Sequence, residues 1–309
     1  MIRLYDWDPR NDHRTFLGRC EQLVIKVLVP VSAWFLRVVD GGFQNRRDHI
    51  PKLIESFTEP DKRGYHPVIE AIIIGNELQN CDKGISLAEY ASRCIEFTKD
   101  WAQIEQDKFH TYGDISIGHP IEFNKFGGSF PCWAFWDPLL AALNSVPTRN
   151  LNQRIILAPQ TYNTGEYLFQ NAEGSGKGYV DLTWEKYHKR MLFTEIGASR
   201  MIAPGQPRPD YAKTVIGQLS GCLNYSKQHH ERLTGGCFFQ FADKCWKKPD
   251  ESEGSYGAFM HTKDILCTLK YSGKDFTHWD VNCDNDVMNV DRLTPSPLYE
   301  TVKSVYNPK

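Results

Sequence analysis

Two acidic residues, Glu77 and Glu195, sit in matching local settings. One closes the string Ile72-Ile73-Ile74-Gly75-Asn76-Glu77. The other lies in Met191-Leu192-Phe193-Thr194-Glu195-Ile196-Gly197. In each, an apolar run that reads as a buried strand ends in a carboxylate flanked by small residues. Burying an unpaired charge is costly, so such a carboxylate is either half of a buried salt bridge or a working group. The repetition of the setting favours a working pair. Two carboxylates in unlike environments can divide the labour of cleaving a glycosidic bond. One is protonated and gives a proton to the leaving oxygen; the other is ionised and attacks, or activates water. An apolar strand end beside a second carboxylate raises the pKa of one member and leaves the other charged.

Groups this far apart in sequence meet only if the fold brings strand ends together. The chain carries short apolar runs at Ile2–Tyr5, Leu23–Val31, Val68–Ile74, Ile115–Ile121, Ile155–Ala158, Met191–Thr194 and Cys237–Phe241. Continuous apolar runs, rather than an alternating pattern, describe strands buried on both faces, as in a parallel sheet. Between them lie segments of helical period. In the clearest, Leu87 to about Phe109, one stripe is formed by Leu87, Tyr90, Cys94, Phe97, Trp101 and Ile104, and Ser86 with Glu89 makes a capping box. A second helix is expected over about Asp210 to His230, with Tyr211, Val215, Leu219 and Leu223 on one face. Alternating strands and helices predict an α/β fold, a barrel or a doubly wound sheet. In a barrel the C-terminal strand ends share one mouth, where Glu77 and Glu195 can meet.

The bulk numbers agree with a globular enzyme and exclude several classes. The 309 residues are 41% hydrophobic and 24% charged, with a net charge of −2, so nothing calls for a nucleic-acid partner. Aromatics reach 13%, with eight Trp, which fits either a packed core or a sugar-lining cleft. The nine cysteines are odd in number and lack scaffold spacing; Cys237 and Cys245 lack the spacing of a zinc site, so no metal and no cofactor is expected. The run Leu23 to Leu36 is broken by Lys26 and Pro30 and is too short to span a membrane. No signal peptide is read at the N-terminus, and the chain is expected to be monomeric. The glycine-rich Glu173–Gly178 follows no strand and lacks phosphate-loop spacing, so it reads as a flexible loop.

The ordered set IRLYD (2–6), GNE (75–77), TEIG (194–197), FADKCWK (241–247) and EGSYGAF (253–259) resembles the clan A glycoside hydrolases, most closely glycoside hydrolase family 17. That family holds β-1,3-glucanases and β-1,3-glucan transglycosylases that retain anomeric configuration. The resemblance spans roughly residues 2 to 260. It implies a (β/α)8 TIM-type barrel and a polysaccharide or oligosaccharide substrate, and favours a secreted or cell-wall setting. It implies Glu77 as acid/base and Glu195 as nucleophile. By the same resemblance Asn76 would bind the sugar hydroxyl next to the reacting carbon, and Tyr162 would border the nucleophile. Trp246 and Lys247 would stand at the cleft edge, and Arg3 and Tyr5 at the mouth, where they could orient Glu195. Trp133 and Trp136 are further candidates for stacking on sugar rings, and Tyr162, Tyr5 and Trp246 fit core packing as well as substrate contact.

The chain departs from the family pattern twice. Lys244 stands where the family usually has Glu, and the match begins at the family's second strand. The expected barrel therefore lacks its first strand or substitutes it, for example with Ile265–Tyr271 of the C-terminal tail. A single catalytic domain over 1–309 is expected, with 265–309 as an extension packed on the barrel. Other clan A β-glycanase activities, and a carbohydrate-binding barrel without turnover, are the alternatives.

Overall fold

The computed structural model describes residues 1–5, 7–39, 41–58, 64–78, 85–108, 115–123, 131–146, 151–203, 206–240, 256–270 and 287–306. The protein is an α/β barrel of the TIM type. Among the described residues, seven strands form its sheet: β1 (Ile2–Arg3), β2 (Val27–Val31), β3 (Ile69–Ile74), β4 (Ser116–Phe123), β5 (Ile155–Thr161), β6 (Met191–Ile196) and a last strand, Leu233–Phe238. They are hydrogen-bonded in chain order. The pairings β1/β2, β2/β3, β3/β4 and β6 with Leu233–Phe238 are parallel, with Arg3 opposite Leu28, Val31 opposite Ile74 and Met191 opposite Leu233. Every residue of β2, β5 and β6 is buried, which is why Val27–Val31, Ile155–Ala158 and Met191–Phe193 read as apolar runs.

All seven expected runs coincide with these strands, with shifted ends. The second starts at Val27 rather than Leu23 because Leu23 and Val24 close the preceding helix, Arg14–Gln22. Their amides bond to the Arg19 and Glu21 carbonyls, and Val24 is 90% exposed at φ 55°. The last strand begins at Leu233, earlier than the expected Cys237. Gly235 and Gly236 carry little strand propensity, and pairing with β6 decides the matter instead.

Contacts divide the chain into two compact units, Met1–Gln160 and Thr161–Lys309. In the first, helix Leu87–Lys108 buries Tyr90, Cys94, Phe97 and Trp101 along the expected stripe. The Glu89 amide bonds to Ser86 Oγ, which completes half of the capping box. The Glu89 carboxylate instead reaches Arg93 one turn on, an opposite charge at i,i+4. At the N-terminal ends of β4 and β5 lies a buried ion pair. Arg154 grips Glu105 through two hydrogen bonds, at 2.6 and 3.0 Å, and donates from Nε to the Ile115 carbonyl. Trp101 and Tyr65 donate to the same carboxylate.

In the second unit, helix Tyr211–Gln228 buries Val215, Gln218, Leu219 and Cys222. Leu223 is only half-buried, so the inward face is rotated from the expected one. The C-terminal helix Pro297–Tyr306 packs on it through Leu298 and Val305. The tail strand does not join the barrel sheet. Phe259–Lys270 pairs antiparallel with Val287–Pro295 in a separate two-stranded sheet, so of the two alternatives, a missing or a substituted first strand, residues 265–270 do not supply the substitute; Tyr271 lies outside the described residues. A hairpin partner nearby in sequence satisfies its backbone with less loop closure than a barrel edge would need. The loop read as flexible, Glu173–Gly178, is stitched by Ala172 donating to the Lys177 carbonyl and by Asn171 accepting from the Gly176 amide. Among the described residues, no helix is long and apolar enough to cross a membrane.

Candidate active site

In the first unit the chain leaves β3 through Gly75, whose φ of 80° is open to glycine; a Cβ there would stand 2.7 Å from Leu36 Cδ1. Two residues on, Glu77 also takes a left-handed backbone, at φ 45°. Such a conformation costs a glutamate on the order of 1 kcal/mol and collects at working sites. It is not diagnostic alone, since Val24 adopts it in an exposed turn. What distinguishes the turn after β3 is its side-chain order. Arg3, the last residue of β1, donates from Nη2 to Asn76 Oδ1 at 2.6 Å. Gln160, fully buried in β5, donates from Nε2 to the same oxygen at 2.9 Å. Two donors on one amide oxygen fix which way the amide faces, and leave the Asn76 NH2 directed away from them. The Arg3 guanidinium also lies over the Tyr5 ring, 4.4 Å from its centre, and Tyr5 is 46% exposed.

In the second unit Glu195 is the penultimate residue of β6 and only 5% exposed. Tyr162, immediately after β5, donates its phenol hydrogen to Glu195 Oε2 at 2.6 Å. A hydrogen bond to a buried carboxylate orients it and lowers the cost of its charge. Around the phenol stand Tyr256, with ring centres 5.2 Å apart, and Phe239 at 6.2 Å; Phe239 and Tyr256 are themselves 5.5 Å apart. Phe239 follows the last strand, and its amide bonds to the Ile196 carbonyl beside Glu195. Gly197 permits this approach, because a Cβ there would meet the Phe239 carbonyl oxygen at 2.5 Å.

Arg3, Tyr5, Asn76, Glu77, Tyr162 and Glu195 thus fall at or just beyond the C-terminal ends of their strands, where side chains of this fold carry function. Arg3, Tyr5, Asn76 and Glu77 gather in the first unit; Tyr162 and Glu195 gather in the second. Trp133 and Trp136 stand on the first turns of helix Pro131–Asn144. Trp136 is 1% exposed and belongs to the core with Phe135, which stacks on Tyr90, so it offers no face to a sugar. Trp133 is half-buried. Trp246 and Lys247, with Lys244, lie outside the described residues. Among the described residues, no three His, Cys, Asp or Glu side chains gather as a metal site.

Sequence reasoning gave no role to Gln160 and Gln218. Glutamine ordinarily marks solvent, and in both cases the usable signal was position. Gln160 continues the apolar run of β5, and Gln218 keeps helical step with Val215, Leu219 and Cys222.

No family model matches this chain, and no curated protein matches it. Solved structures do. Gas2p of Saccharomyces cerevisiae, as a mutant in complex with laminaritetraose and laminaripentaose, aligns at TM-score 0.55 and 14% identity over 99% of this chain and 54% of its own. A β-glucosidase double mutant from Trichoderma harzianum aligns at TM-score 0.56 and 12% identity, over 94% of this chain and 78% of its own. A β-glucuronidase from Bacteroides uniformis aligns at TM-score 0.49 and 16% identity over 84% of this chain. The chain spans about half the length of the Gas2p chain and 28% of the glucuronidase. At these identities the likeness is one of fold.

Proposed function

We propose that the protein is a glycoside hydrolase that acts on β-glucan, most closely of the β-1,3-linked kind, through a covalent glycosyl-enzyme intermediate. One observation carries the reading: Glu195, buried at the C-terminal end of a parallel barrel strand, accepts a hydrogen bond from a tyrosine just beyond the end of the preceding strand. A packing role alone would not place a carboxylate there, since an apolar residue of similar volume avoids the desolvation cost. In support, the other expected carboxylate follows an asparagine held by two donors. The motifs resemble family 17. The barrel is also shared with proteins whose described ligands or names concern glucans and glucosides, Gas2p with laminari-oligosaccharides among them.

Chemically, the Glu195 carboxylate attacks the anomeric carbon as the glycosidic oxygen takes the proton of the Glu77 carboxyl group. A glycosyl ester on Glu195 forms and the leaving sugar departs. The Glu77 carboxylate then takes a proton from water or a sugar hydroxyl. That oxygen displaces Glu195 and restores both groups. Asn76 would hold the hydroxyl beside the reacting carbon, and Tyr162 keeps Glu195 aimed. Arg3, Tyr5 and Trp133 are assigned to substrate contact, as are Trp246 and Lys247 on the motif resemblance. Hydrolysis and transglycosylation differ only in the second acceptor.

The test is incubation with laminari-oligosaccharides followed by product sizing. Shorter products mean hydrolysis, longer ones transfer, and an unchanged size distribution rejects the proposed substrate. The same assay on β-1,4-linked oligosaccharides separates linkage preference.

A further inference from the structure

The Tyr162–Glu195 contact joins two turns, one after β5 and one after β6, and a third element ties these turns together. Gln218, fully buried in helix Tyr211–Gln228, donates from Nε2 to the Asn163 carbonyl at 2.7 Å and to the Gly197 carbonyl at 3.0 Å. Asn163 directly follows Tyr162, and Gly197 lies two residues beyond Glu195. An amide NH2 has two hydrogens, and both are spent here, one on each turn. We propose that Gln218 is a positioning residue that sets the Tyr162–Glu195 geometry, a role that rests on the reading of Glu195 as the nucleophile.

Two further observations separate this from packing. The Gln218 Oε1 atom is buried with no hydrogen-bond partner among the described residues. Leaving an amide oxygen so placed is costly, and a methionine or leucine would fill the same volume without that cost. The site therefore keeps the amide for its donors. The backbone is also built to bring the helix this close. A Cβ on Gly165, the first residue of helix Gly165–Phe169, would stand 2.3 Å from the Gly217 carbonyl oxygen and 3.1 Å from the Gln218 nitrogen. Only glycine at 165 lets the helix approach until a glutamine reaches both carbonyls. Asparagine is one methylene too short. Glutamate offers oxygens to oxygens, and even protonated has one hydrogen for two acceptors.

The test compares Gln218→Met, Gln218→Glu and Gln218→Asn with the unaltered protein by hydrogen exchange and by turnover of laminari-oligosaccharides. In Gln218→Met we expect exchange to speed up about tenfold or more at the Asn163 amide, which bonds to Thr161 Oγ1, and at the Phe239 amide, which bonds to the Ile196 carbonyl, while helix Tyr179–Tyr187 keeps its protection. We expect kcat to fall by about tenfold or more with KM within about twofold, since a small misplacement of a reacting group is felt in the chemical step. Combined with Tyr162→Phe, the loss should be clearly less than the product of the single losses, because both changes loosen one contact. Should the methionine variant fail to fold, the asparagine variant, which keeps the amide but falls short, carries the same expectations. Unchanged exchange at Asn163 and Phe239 overturns the inference, as do losses that multiply. Absence of turnover in the unaltered protein overturns the functional reading instead, and exchange alone then decides whether Gln218 holds the turns.

Discussion

Glu105 and Glu195 are both buried carboxylates, and their surroundings differ in kind. Glu105 is fully buried where β4 and β5 begin, gripped twice by Arg154 and further bonded by Trp101 and Tyr65. Glu195 is 5% exposed near the end of β6 and bonded by the phenol of Tyr162. A carboxylate clasped by a bidentate guanidinium has its charge neutralised and its lone pairs occupied, which suits a clamp. A carboxylate that accepts from a phenol hydroxyl is held in direction by that bond without a guanidinium clasping both of its oxygens through it. Burial therefore says little about function here. The strand end on which the group sits, and the chemistry of its donor, say more. The Tyr65 hydroxyl follows the same logic: burial and the Glu105 charge push its pKa well above the ordinary value, so it stays a permanent donor.

The strongest way to break this contrast is to neutralise each carboxylate. Glu195→Gln should lower kcat/KM by about 10⁴-fold or more, the scale seen when a nucleophile is removed, and leave the melting temperature nearly unchanged. Glu105→Gln should do the reverse. It strands a buried guanidinium and should cost about 3 to 5 kcal/mol of stability, with the folded fraction still active. Similar losses of activity and stability in both variants would erase the distinction.

Next in size is a pair of tryptophans that separates core from cleft in the same way. Trp136→Ala should cost about 3 to 5 kcal/mol in a denaturant melt, as buried tryptophans do. Trp133→Ala should weaken laminari-oligosaccharide binding while its melt shifts far less. A steep fall in both melts, with ligand affinity of the folded protein intact, would assign both rings to the core.

A subtler probe concerns Glu77. Glu77→Gln should spare substrates with good leaving groups, which need little protonation, far more than natural glucans. Equal loss on both would remove the acid/base assignment.

The smallest expected effect lies in the first unit's core. His119, fully buried, bonds through Nε2 to Thr98 Oγ1 at 2.8 Å, and burial pushes its pKa down from 6.5 to about 3. The folded protein thus binds fewer protons there than the unfolded chain. This contribution to stability is present above pH 6.5 and drains away as the pH falls toward 3, by about 1 kcal/mol per pH unit inside that window. Melting temperatures at pH 7 and pH 5 should therefore diverge more in the unaltered protein than in His119→Gln. Equal divergence would show that His119 does not set the acid limb.

The strands and helices were legible because their cause is local. Runs such as Ile72–Ile74 and Leu157–Ala158 are apolar since both faces of a barrel strand are covered, and Tyr90, Phe97 and Trp101 recur at helical spacing since one face is. The carboxylates were legible for the opposite reason: a charge at the end of a buried run breaks the local rule, and Glu77 and Glu195 both break it. The tail was harder to read. The pattern of residues 265–271 allows a strand but does not choose between a barrel edge and the hairpin that Phe259–Lys270 forms with Val287–Pro295.

What the sequence determined by itself was the alternation of elements, and hence the fold class, together with the two groups proposed to do the chemistry. Only the tertiary structure decided what holds them. Neither Gln160 nor Gln218 announces itself, because a glutamine's role depends on which oxygens stand within reach of its two hydrogens. Those oxygens belong to Asn76, Asn163 and Gly197, all distant in sequence from the donor. Trp136 went to the core and Trp133 was left half-buried for a similar reason: both stand on one helix, and only the packing around that helix tells its faces apart. Hydrophobic period is written along the chain, whereas hydrogen-bond partnership and burial of a given face are settled only when separate segments meet.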